Sequence, residues 1–407
     1  MNTLIKNQQL RYLFLCNFAI LFTGFGLFPL LPLHAAEFGA SPSLIGVYLG
    51  ITYVTSSAGS ILAGLLGERL PRKIVFIAAG LIGMPALFML GQARSFWQIV
   101  ILTGLVWFTG GLGISVSSVL ASLHTTSSTR GKAFGALALA SPLAALLGGI
   151  VVGRTVDWGG YSLMFTALTI VWMLWPALSL TRIQDAPACA SPISLTGRPA
   201  QASSHPLGTI FLLLLATVLL GQMTVSVGRM GISLVMDNQQ FSEGEISTAN
   251  ALGGLIAIPA TLLIGSLSDT LGRKRLLVLS YLIAMAGTVM LVRAQELWQF
   301  WLVSSLILGS RVAIASMAPV YAADLLPRQA LGKALPLVGT VGTVSGVAGS
   351  AGAGYVLDTF GASSLYSTAS ILSFIAVVIM AFLPAALRTR AAMPVPERKA
   401  ALQCAGD

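Results

Sequence analysis

Long runs of apolar residues alternate along the chain with short polar segments, from near the N-terminus to about residue 385. A helix needs roughly 20 apolar residues to cross a ~30 Å hydrocarbon core, because its backbone polar groups must all be paired internally. The pattern therefore predicts twelve membrane-spanning helices. They lie at about 11–34, 43–66, 74–93, 97–121, 131–154, 161–181, 207–236, 246–268, 276–293, 297–322, 333–356 and 362–385.

The polar segment between the sixth and seventh runs is the only long one inside the chain. It is rich in Ser, Pro and Ala, a composition typical of a linker. We therefore expect two bundles of six helices joined by a linker and followed by a short tail. The expected boundaries are 1–181 for the N-terminal bundle, 182–206 for the linker, 207–386 for the C-terminal bundle and 387–407 for the tail.

Composition supports an all-α membrane protein and excludes a soluble globular one. The chain is 56% hydrophobic and 9% charged, whereas soluble domains are about a quarter charged. The three cysteines, Cys16, Cys189 and Cys404, have no metal-ligand spacing. No phosphate-binding loop, metal cluster or catalytic triad is visible in the sequence. We therefore expect no cofactor, no bound metal and no enzymatic activity.

The net charge of +10 reflects membrane topology rather than nucleic-acid binding. Of the 23 Lys and Arg residues, 18 fall at the N-terminus, in the even-numbered loops or in the tail. Such an excess marks the cytoplasmic side of a membrane protein. We therefore expect a multi-pass protein of the plasma (inner) membrane, with both termini and the linker in the cytoplasm.

A repeat relates the two halves of the chain. The stretches "GLLGERLPRK" at 64–73 and "GSLSDTLGRKR" at 265–275 share the order Gly, acid, Arg, Lys at an offset of 201 residues. The same offset relates "VDWGG" at 156–160 to "LDTFG" at 357–361. Six spans separate the copies, so both halves keep the same orientation, and a pseudo-two-fold axis relates them as a parallel repeat. This arrangement places a cavity between the halves.

The second of these loops resembles the Gly-x-x-x-Asp-x-x-Gly-Arg-Lys signature of the major facilitator superfamily. The duplication and the linker extend the resemblance over essentially the whole chain. The matching residues are Gly265, Asp269, Gly272, Arg273 and Lys274, and in the first copy Gly64, Arg72 and Lys73, with Glu68 in place of Asp and Pro71 in place of the second Gly.

The resemblance implies that these loops form a conformational latch and not a substrate site. Acidic and basic side chains beside helix ends can form charge-assisted pairs that hold one inward-facing state. The alternative is that the basic residues only set the membrane topology. Pro71 fixes φ where glycine would leave it free, so we expect a stiffer turn in the first copy.

The resemblance also implies a secondary transporter that moves a small organic solute by alternating access. We expect efflux coupled to an ion, by a monomer. Two features of the family's exporters are missing, because Trp107 replaces an intramembrane Arg and Gly148-Gly149 replaces a Gly-Pro pair. Solute uptake by symport is therefore an alternative, and a membrane sensor on the same scaffold is an alternative from another class. The sequence does not name the substrate.

Two arginines lie deep in predicted spans, Arg229 in the seventh and Arg311 in the tenth. An intramembrane Arg is costly and normally faces protein or water, so it marks a function by default. We expect both to face the cavity and to favour a substrate with an anionic group. The structural alternative pairs Arg229 with Asp237, and Arg311 with backbone carbonyls of the Gly-rich eleventh span.

Other polar and aromatic residues of the spans are further candidates for contact with the substrate. Ser and Thr at helical spacing more often pack helices together, which is the alternative for several of them. The candidates are Gln222 and Ser226 on the face of the seventh span that carries Arg229, Tyr48 and Thr52 on the second span, Trp107 on the fourth and Asn250 on the eighth.

Proton coupling usually requires a carboxylate inside the membrane, and every Asp and Glu lies near a span end or in a loop. Glu37 and Asp237, at the outer ends of the first and seventh spans, come nearest to such a position. We take them as candidates for proton coupling. The alternative is that both are solvated residues at helix ends.

Overall fold

The computed structural model describes residues 7–67, 69–125, 127–185, 208–326 and 330–384. At 127–132, 261–262, 265–266, 269 and 332–333 it describes the backbone only. Within these ranges the chain is helical and contains no strand. The helices are α1 (Gln8–Leu27), α2 (Leu31–Glu37), α3 (Pro42–Gly67), α4 (Arg72–Leu90), α5 (Phe96–Leu123), α6 (Ser127–Ala138), α7 (Ala140–Thr181), α8 (Thr209–Asn238), α9 (Glu243–Leu271), α10 (Arg273–Leu291), α11 (Leu297–Leu325) and α12 (Leu331–Phe382).

Local signals in the sequence fix where several helices begin. The Asn7 side chain accepts hydrogen bonds from the backbone N–H groups of Gln9 and Leu10 at the start of α1. A capping box of Ser242 and Glu245 starts α9. These side chains satisfy backbone donors that have no partner within the helix, which is why each helix begins at that point.

Nine helical stretches of the described chain are long and apolar enough to cross a membrane. Two of them, Ala133–Thr181 and Ala334–Phe382, contain 49 residues each, more than twice the length that one crossing needs. Helix α9 is not one of the nine. The expected count of twelve spans is therefore not confirmed and stays a prediction.

Backbone conformation reproduces the sequence repeat. The long helices α7 and α12 break at Gly160 (φ 65°) and Gly361 (φ 78°), which are 201 residues apart. Gly39 (φ 74°) and Gln240 (φ 64°) are related in the same way. A left-handed φ is disfavoured for residues other than glycine, so its recurrence at equivalent positions supports a duplication.

The two loop copies differ at their helix starts, as the sequence predicts. Gly272 adopts a φ of 85° before α10, whereas the equivalent Pro71 has a φ of −53° before α4. A proline ring cannot reach the left-handed value, so the two turns are not interchangeable.

The first half, α1–α7, and the second half, α8–α12, cross each other twice. Helix α3 crosses the part of α12 that precedes its break at Gly361, and the part of α7 that precedes its break at Gly160 crosses α9. Most of the predicted linker, 186–206, and the tail lie outside the described residues. The boundaries expected for the halves, linker and tail stay predictions.

Both crossings are built on glycines and lie at the end of the molecule opposite the N-terminus of α1; together they form what we call the seal. A Cβ atom added at Gly149 would lie 2.9 Å from the carbonyl oxygen of Ser247, and one at Gly254 would lie 2.8 Å from the backbone nitrogen of Leu146. At the other crossing, a Cβ at Gly46 would overlap the carbonyl oxygen of Ser350. The helix backbones approach closely because these positions lack side chains.

Two aspartates occupy equivalent places in the seal. Asp157 of the first half accepts a hydrogen bond from the backbone nitrogen of Gly244 at 3.0 Å. Asp358 of the second half accepts one from the Ser43 hydroxyl at 2.6 Å. Each carboxylate lies at the N-terminus of a helix of the opposite half, where the helix dipole favours a negative charge. The repeat therefore yields two matched contacts across the seal.

The halves separate toward the end where α1 begins. Ser57 and Thr343 still touch, with 2.9 Å between their hydroxyl oxygens. In the turn of α12 that precedes Thr343, Cβ atoms added at Gly339 and Gly342 would meet nothing within 4 Å. The space between the halves is therefore closed by the seal and open at the other end, which we call the open end.

Candidate substrate-binding site

A cavity of about 270 Å³ lies between the two halves, on the inner side of the seal. It is lined from the first half by residues of α1, α3, α5 and α7 and from the second half by single residues of α8, α11 and α12. The second-half residues are Arg229, Arg311 and Thr343. The two arginines therefore line the same cavity.

Each guanidinium of the cavity lies over an aromatic ring at the C-terminal end of α1, where Phe28 is the residue that follows the helix. The Cζ atom of Arg229 is 3.8 Å from the centroid of the Phe28 ring, and that of Arg311 is 5.5 Å from the centroid of Phe25. Tyr53 packs edge-on against Phe28, with 6.2 Å between the ring centroids. Cation–π contacts of this kind stabilise a guanidinium by about 0.5–2 kcal/mol without neutralising its charge.

No carboxylate neutralises these arginines among the described residues. The ion pairs there are His34–Glu37 and Arg273–Asp324. The alternative in which Arg229 pairs with Asp237 is therefore not formed in this structure. Two positive charges without an acidic partner give the cavity a positive potential.

The other predicted contact residues fall into two groups. Thr52 and Trp107 line the cavity, and Asn250 lines a neighbouring space of about 20 Å³ together with Arg229. Tyr48, Gln222 and Ser226 are not part of the cavity wall.

Contacts of the side chains explain two of the three residues outside the wall. The hydroxyl oxygens of Tyr48 and Thr103 are 2.9 Å apart within the first half, and the Ser226 hydroxyl donates to the backbone carbonyl oxygen of Gln222 at 3.1 Å. The Cβ of Ser226 also lies against Gly349 of α12. These placements favour the packing alternative for Tyr48 and Ser226.

Apart from Trp107, the sequence analysis missed the aromatic residues of the site. Phe25, Phe28 and Tyr53 line the cavity beside the arginines. The spacing of Phe25 and Phe28 places them on one face of α1, but apolar residues occupy every face of a membrane helix. Only the tertiary structure shows which face meets Arg229 and Arg311.

The predicted latch residues of the second copy bind within their own half. Arg273 forms an ion pair with Asp324 at the end of α11. Lys274 donates to the carbonyl oxygen of Ala381 at 2.9 Å and also to that of Leu383, both at the end of α12. The side chain of Asp269 lies outside the described residues.

The first copy of the latch shows fewer contacts. Arg72 begins α4, and the backbone nitrogen of Lys73 donates to the Asp185 carboxylate at 3.3 Å. Glu68 lies outside the described residues. The latch role of both copies stays a prediction. It concerns Gly64, Glu68, Arg72, Lys73, Gly265, Asp269, Gly272, Arg273 and Lys274.

We expect Asp269→Asn, Arg273→Ala and Asp324→Asn to lower the transport rate more than the substrate affinity, because a latch biases conformations without touching the ligand. Partly exposed pairs contribute little, so the expected loss is about two- to fivefold in rate. The Arg273→Ala/Asp324→Asn double variant should be no slower than the worse single variant. Transport and equilibrium binding by the purified protein measure the two quantities.

Arg275→Ala is the matched control, because Arg275 lies in the same loop and is exposed. It should transport at the wild-type rate. Loss of substrate binding in the Arg273 or Asp324 variants, at an unchanged rate of conformational exchange, would contradict the latch.

The candidates for proton coupling lie beside the seal in a group of acidic residues from both halves. The Tyr161 hydroxyl donates to the Glu243 carboxylate at 2.6 Å across the two halves. His34 is buried, stacks on Tyr161 at 4.2 Å between ring centroids, and lies with its Nδ1 atom 3.5 Å from Glu37. Asp157 and Asp237 lie close enough to act electrostatically on Glu243.

Partial burial and mutual repulsion change the protonation of this acidic group. Burial raises the pKa of Glu37, and the neighbouring Glu243 carboxylate raises it further. Burial also raises the pKa of Glu243, with contributions from Asp157 and Asp237, against the lowering effect of the Tyr161 hydrogen bond. Both carboxylates therefore bind a proton more tightly in this structure than a glutamate side chain in water does.

Two helical bundles around a cavity that is open at one end define a membrane transporter. The chain belongs to the major facilitator superfamily, because the sequence model described as "Major Facilitator Superfamily" matches residues 13–235 and 212–404. This finding confirms the resemblance and the fold class. The chain is thus a multi-pass integral membrane protein and a transporter, not an enzyme. The side of the membrane on which its termini lie stays a prediction.

Curated relatives are bacterial proteins named "Multidrug resistance protein MdtG". The protein from Enterobacter lignolyticus is 26% identical over 291 residues, which cover 69% of each chain. The protein from Dickeya zeae is 24% identical over 307 residues, which cover 71% of this chain and 74% of the relative.

Solved structures share the fold at low sequence identity. A bacterial homologue of the lysosomal transporter Spinster, inward-facing and occupied, has a TM-score of 0.73 at 12% identity, covering 92% of this chain and 95% of that one. The human organic anion transporter MFSD10 has a TM-score of 0.66 at 15% identity, covering 92% and 99%.

Proposed function

We propose that this transporter exports a small organic anion by alternating access, with the cavity between the halves as its substrate site. The observation that carries the proposal is the pair Arg229 and Arg311, which face one cavity with no acidic partner among the described residues. A bound carboxylate, sulfonate or phosphate supplies the missing negative charge. Thr52, Trp107 and the aromatic rings of α1 surround the rest of such a ligand.

Alternating access accounts for the seal and the open end. The structure represents the state in which the cavity communicates with the open end. In the opposite state the two crossings separate and the halves meet near the latch loops. With the termini in the cytoplasm, as the basic residues predict, the described state faces inward. The cavity lies within one chain, which supports a monomer as the working unit.

Export is the direction that the relatives support, since proteins named for multidrug resistance are 24–26% identical to this chain. The test is an accumulation screen in cells with and without the protein, with and without a protonophore. We expect organic anions to accumulate less in cells that contain the protein, and the protonophore to abolish the difference. Greater accumulation would indicate uptake, and no difference for any anion would contradict the proposal.

Proton coupling is proposed for the acidic group beside the seal, with Glu37 and Asp237 acting together with Glu243. His34, Asp157 and Tyr161 are the other titratable groups that face it. A carboxylate with a higher pKa in the sealed state takes up a proton when the seal closes. Low pH on that side therefore favours the sealed state, and the preference is lost as the pH rises through the raised pKa values.

We expect the sealed fraction to fall as the pH rises from about 4.3, the ordinary pKa of Glu, through the raised pKa values of Glu37 and Glu243. The Glu37→Gln/Asp237→Asn/Glu243→Gln variant should remove this dependence, because glutamine and asparagine do not titrate and burial also raises the pKa of Asp237. Distances between spin labels on Trp158→Cys and Asn238→Cys, with the native cysteines replaced by serine, measure the sealed fraction. Glu296→Gln, a change of the same kind outside the group, is the control and should keep the wild-type pH profile.

A further inference from the structure

A second cavity of about 250 Å³ lies on the other side of α1, between α7, α9 and α11. It shares two wall residues with the first cavity, Phe25 and Arg311. Phe25 also borders the small space beside Arg229. The Phe25 side chain is thus the partition between neighbouring cavities, and Arg311 stands at their junction.

The walls of the second cavity differ in chemistry from those of the first. The second wall is mainly aliphatic, with Arg311 as its charged residue as described and with two hydroxyl groups, those of Ser141 and Ser316; the aliphatic surface comes from residues such as Ala145, Ala257, Leu308 and Val312. The first cavity adds the large rings of Trp107 and Tyr53. The second wall is therefore suited to an apolar group of a ligand, with the anionic group left at the junction.

We propose that the second cavity is a subsite for an apolar arm of the substrate, whose anionic group binds Arg311 at the junction, and that Phe25 limits the size of that arm. The inference rests on the proposed anion site and adds the ligand class, which is an amphipathic anion with two apolar arms attached near its charge.

The volumes support this division of the ligand. A cavity of about 150 Å³ is large enough to bind benzene, so each of the two cavities holds one ring with its substituents. A ligand with a single ring needs only one cavity. A ligand with two rings on one carbon beside its carboxylate has one ring for each cavity.

Phenylacetate and diphenylacetate are the probes, because they differ by one ring on the carbon beside the carboxylate. Isothermal titration calorimetry of the purified full chain measures their binding. We expect wild type to bind diphenylacetate at least about tenfold more tightly than phenylacetate, the gain from burying a second ring.

Two matched variants fill one cavity each. Ala315 lines the second cavity and is exposed to it, and Gly24 lines the first with nothing within 4 Å of an added Cβ. Ala315→Leu should lower diphenylacetate affinity to that of phenylacetate and change phenylacetate affinity less than about twofold. Gly24→Leu should lower the affinity for both phenylacetate and diphenylacetate. Phe25→Leu should increase the preference for diphenylacetate, since it shortens the partition.

The outcomes separate the subsite from the proposed function. Suppose that wild type binds phenylacetate. If Ala315→Leu then lowers the affinities for phenylacetate and diphenylacetate equally, or lowers neither of them, the subsite is wrong and the anion site stands. If neither probe binds wild type, the anion site is wrong and the subsite with it. Thermal unfolding of each variant checks the fold, and Ala315→Val provides the smaller change if Ala315→Leu unfolds.

Discussion

Arg311→Gln should weaken binding of an anionic substrate by about 10- to 100-fold and leave expression and thermal stability near those of wild type. The loss corresponds to a charge-assisted hydrogen bond made inside a cavity. Arg311→Lys should recover part of the affinity, because lysine keeps the charge and loses the planar fork. Equilibrium binding and transport of the same anion measure both effects.

Arg154→Gln is the control for Arg311→Gln, because Arg154 is exposed on α7 and does not line the cavity. It should bind the anion as wild type does. Failure of Arg311→Gln to fold would support a structural role for this arginine. Unchanged anion transport by Arg311→Gln would contradict the anion site. The same conclusion would follow if the parent protein transported neutral and cationic solutes as efficiently as anions.

Removal of both seal carboxylates, in Asp157→Ala/Asp358→Ala, should shift the protein from the sealed state toward the opposite one. Each variant alone deletes one charge-assisted hydrogen bond across the halves, at Gly244 or at Ser43. Because these bonds are partly exposed, we expect a change of about three- to tenfold in the ratio of states for each. The sites are independent, so the double variant should show the product of the two changes.

The spin-label pair on Trp158→Cys and Asn238→Cys measures this shift as a longer distance. Asp185→Ala removes a carboxylate at the open end and should not lengthen it. Equal distances in the double variant and wild type would show that the glycine contacts hold the seal without the aspartates.

The fold and the two arginines could be predicted from the sequence because each depends on a one-dimensional signal. Apolar runs reflect the membrane, and the 201-residue offset reflects the duplication. A charged residue within an apolar run can be recognised without knowing which way the helix faces. The contact side chains could not be predicted equally well. Periodicity defines the faces of a helix, but the neighbouring helices decide which face meets the cavity.

Tyr48 and Phe25 illustrate this difference. Tyr48 lies on a polar stripe of α3, but this part of the stripe faces the interior of the first half, where the hydroxyls of Tyr48 and Thr103 share a hydrogen bond. Phe25 carries no polar signal, although it stands between two cavities. The sequence divides the chain near the breaks of α7 and α12, because the expected spans meet at 154–161 and 356–362, close to Gly160 and Gly361.

The glycines of the seal have a thermodynamic consequence for the transport cycle. Surfaces that meet through backbone atoms at Gly46, Gly149 and Gly254 bury little side-chain hydrocarbon, so their separation in water forfeits little hydrophobic free energy. For the alternating access proposed above, we therefore expect two end states that lie close in free energy and are both populated at rest. A ligand that prefers one state by a factor of ten changes their ratio by up to the same factor, so a modest differential affinity is sufficient to change which state prevails.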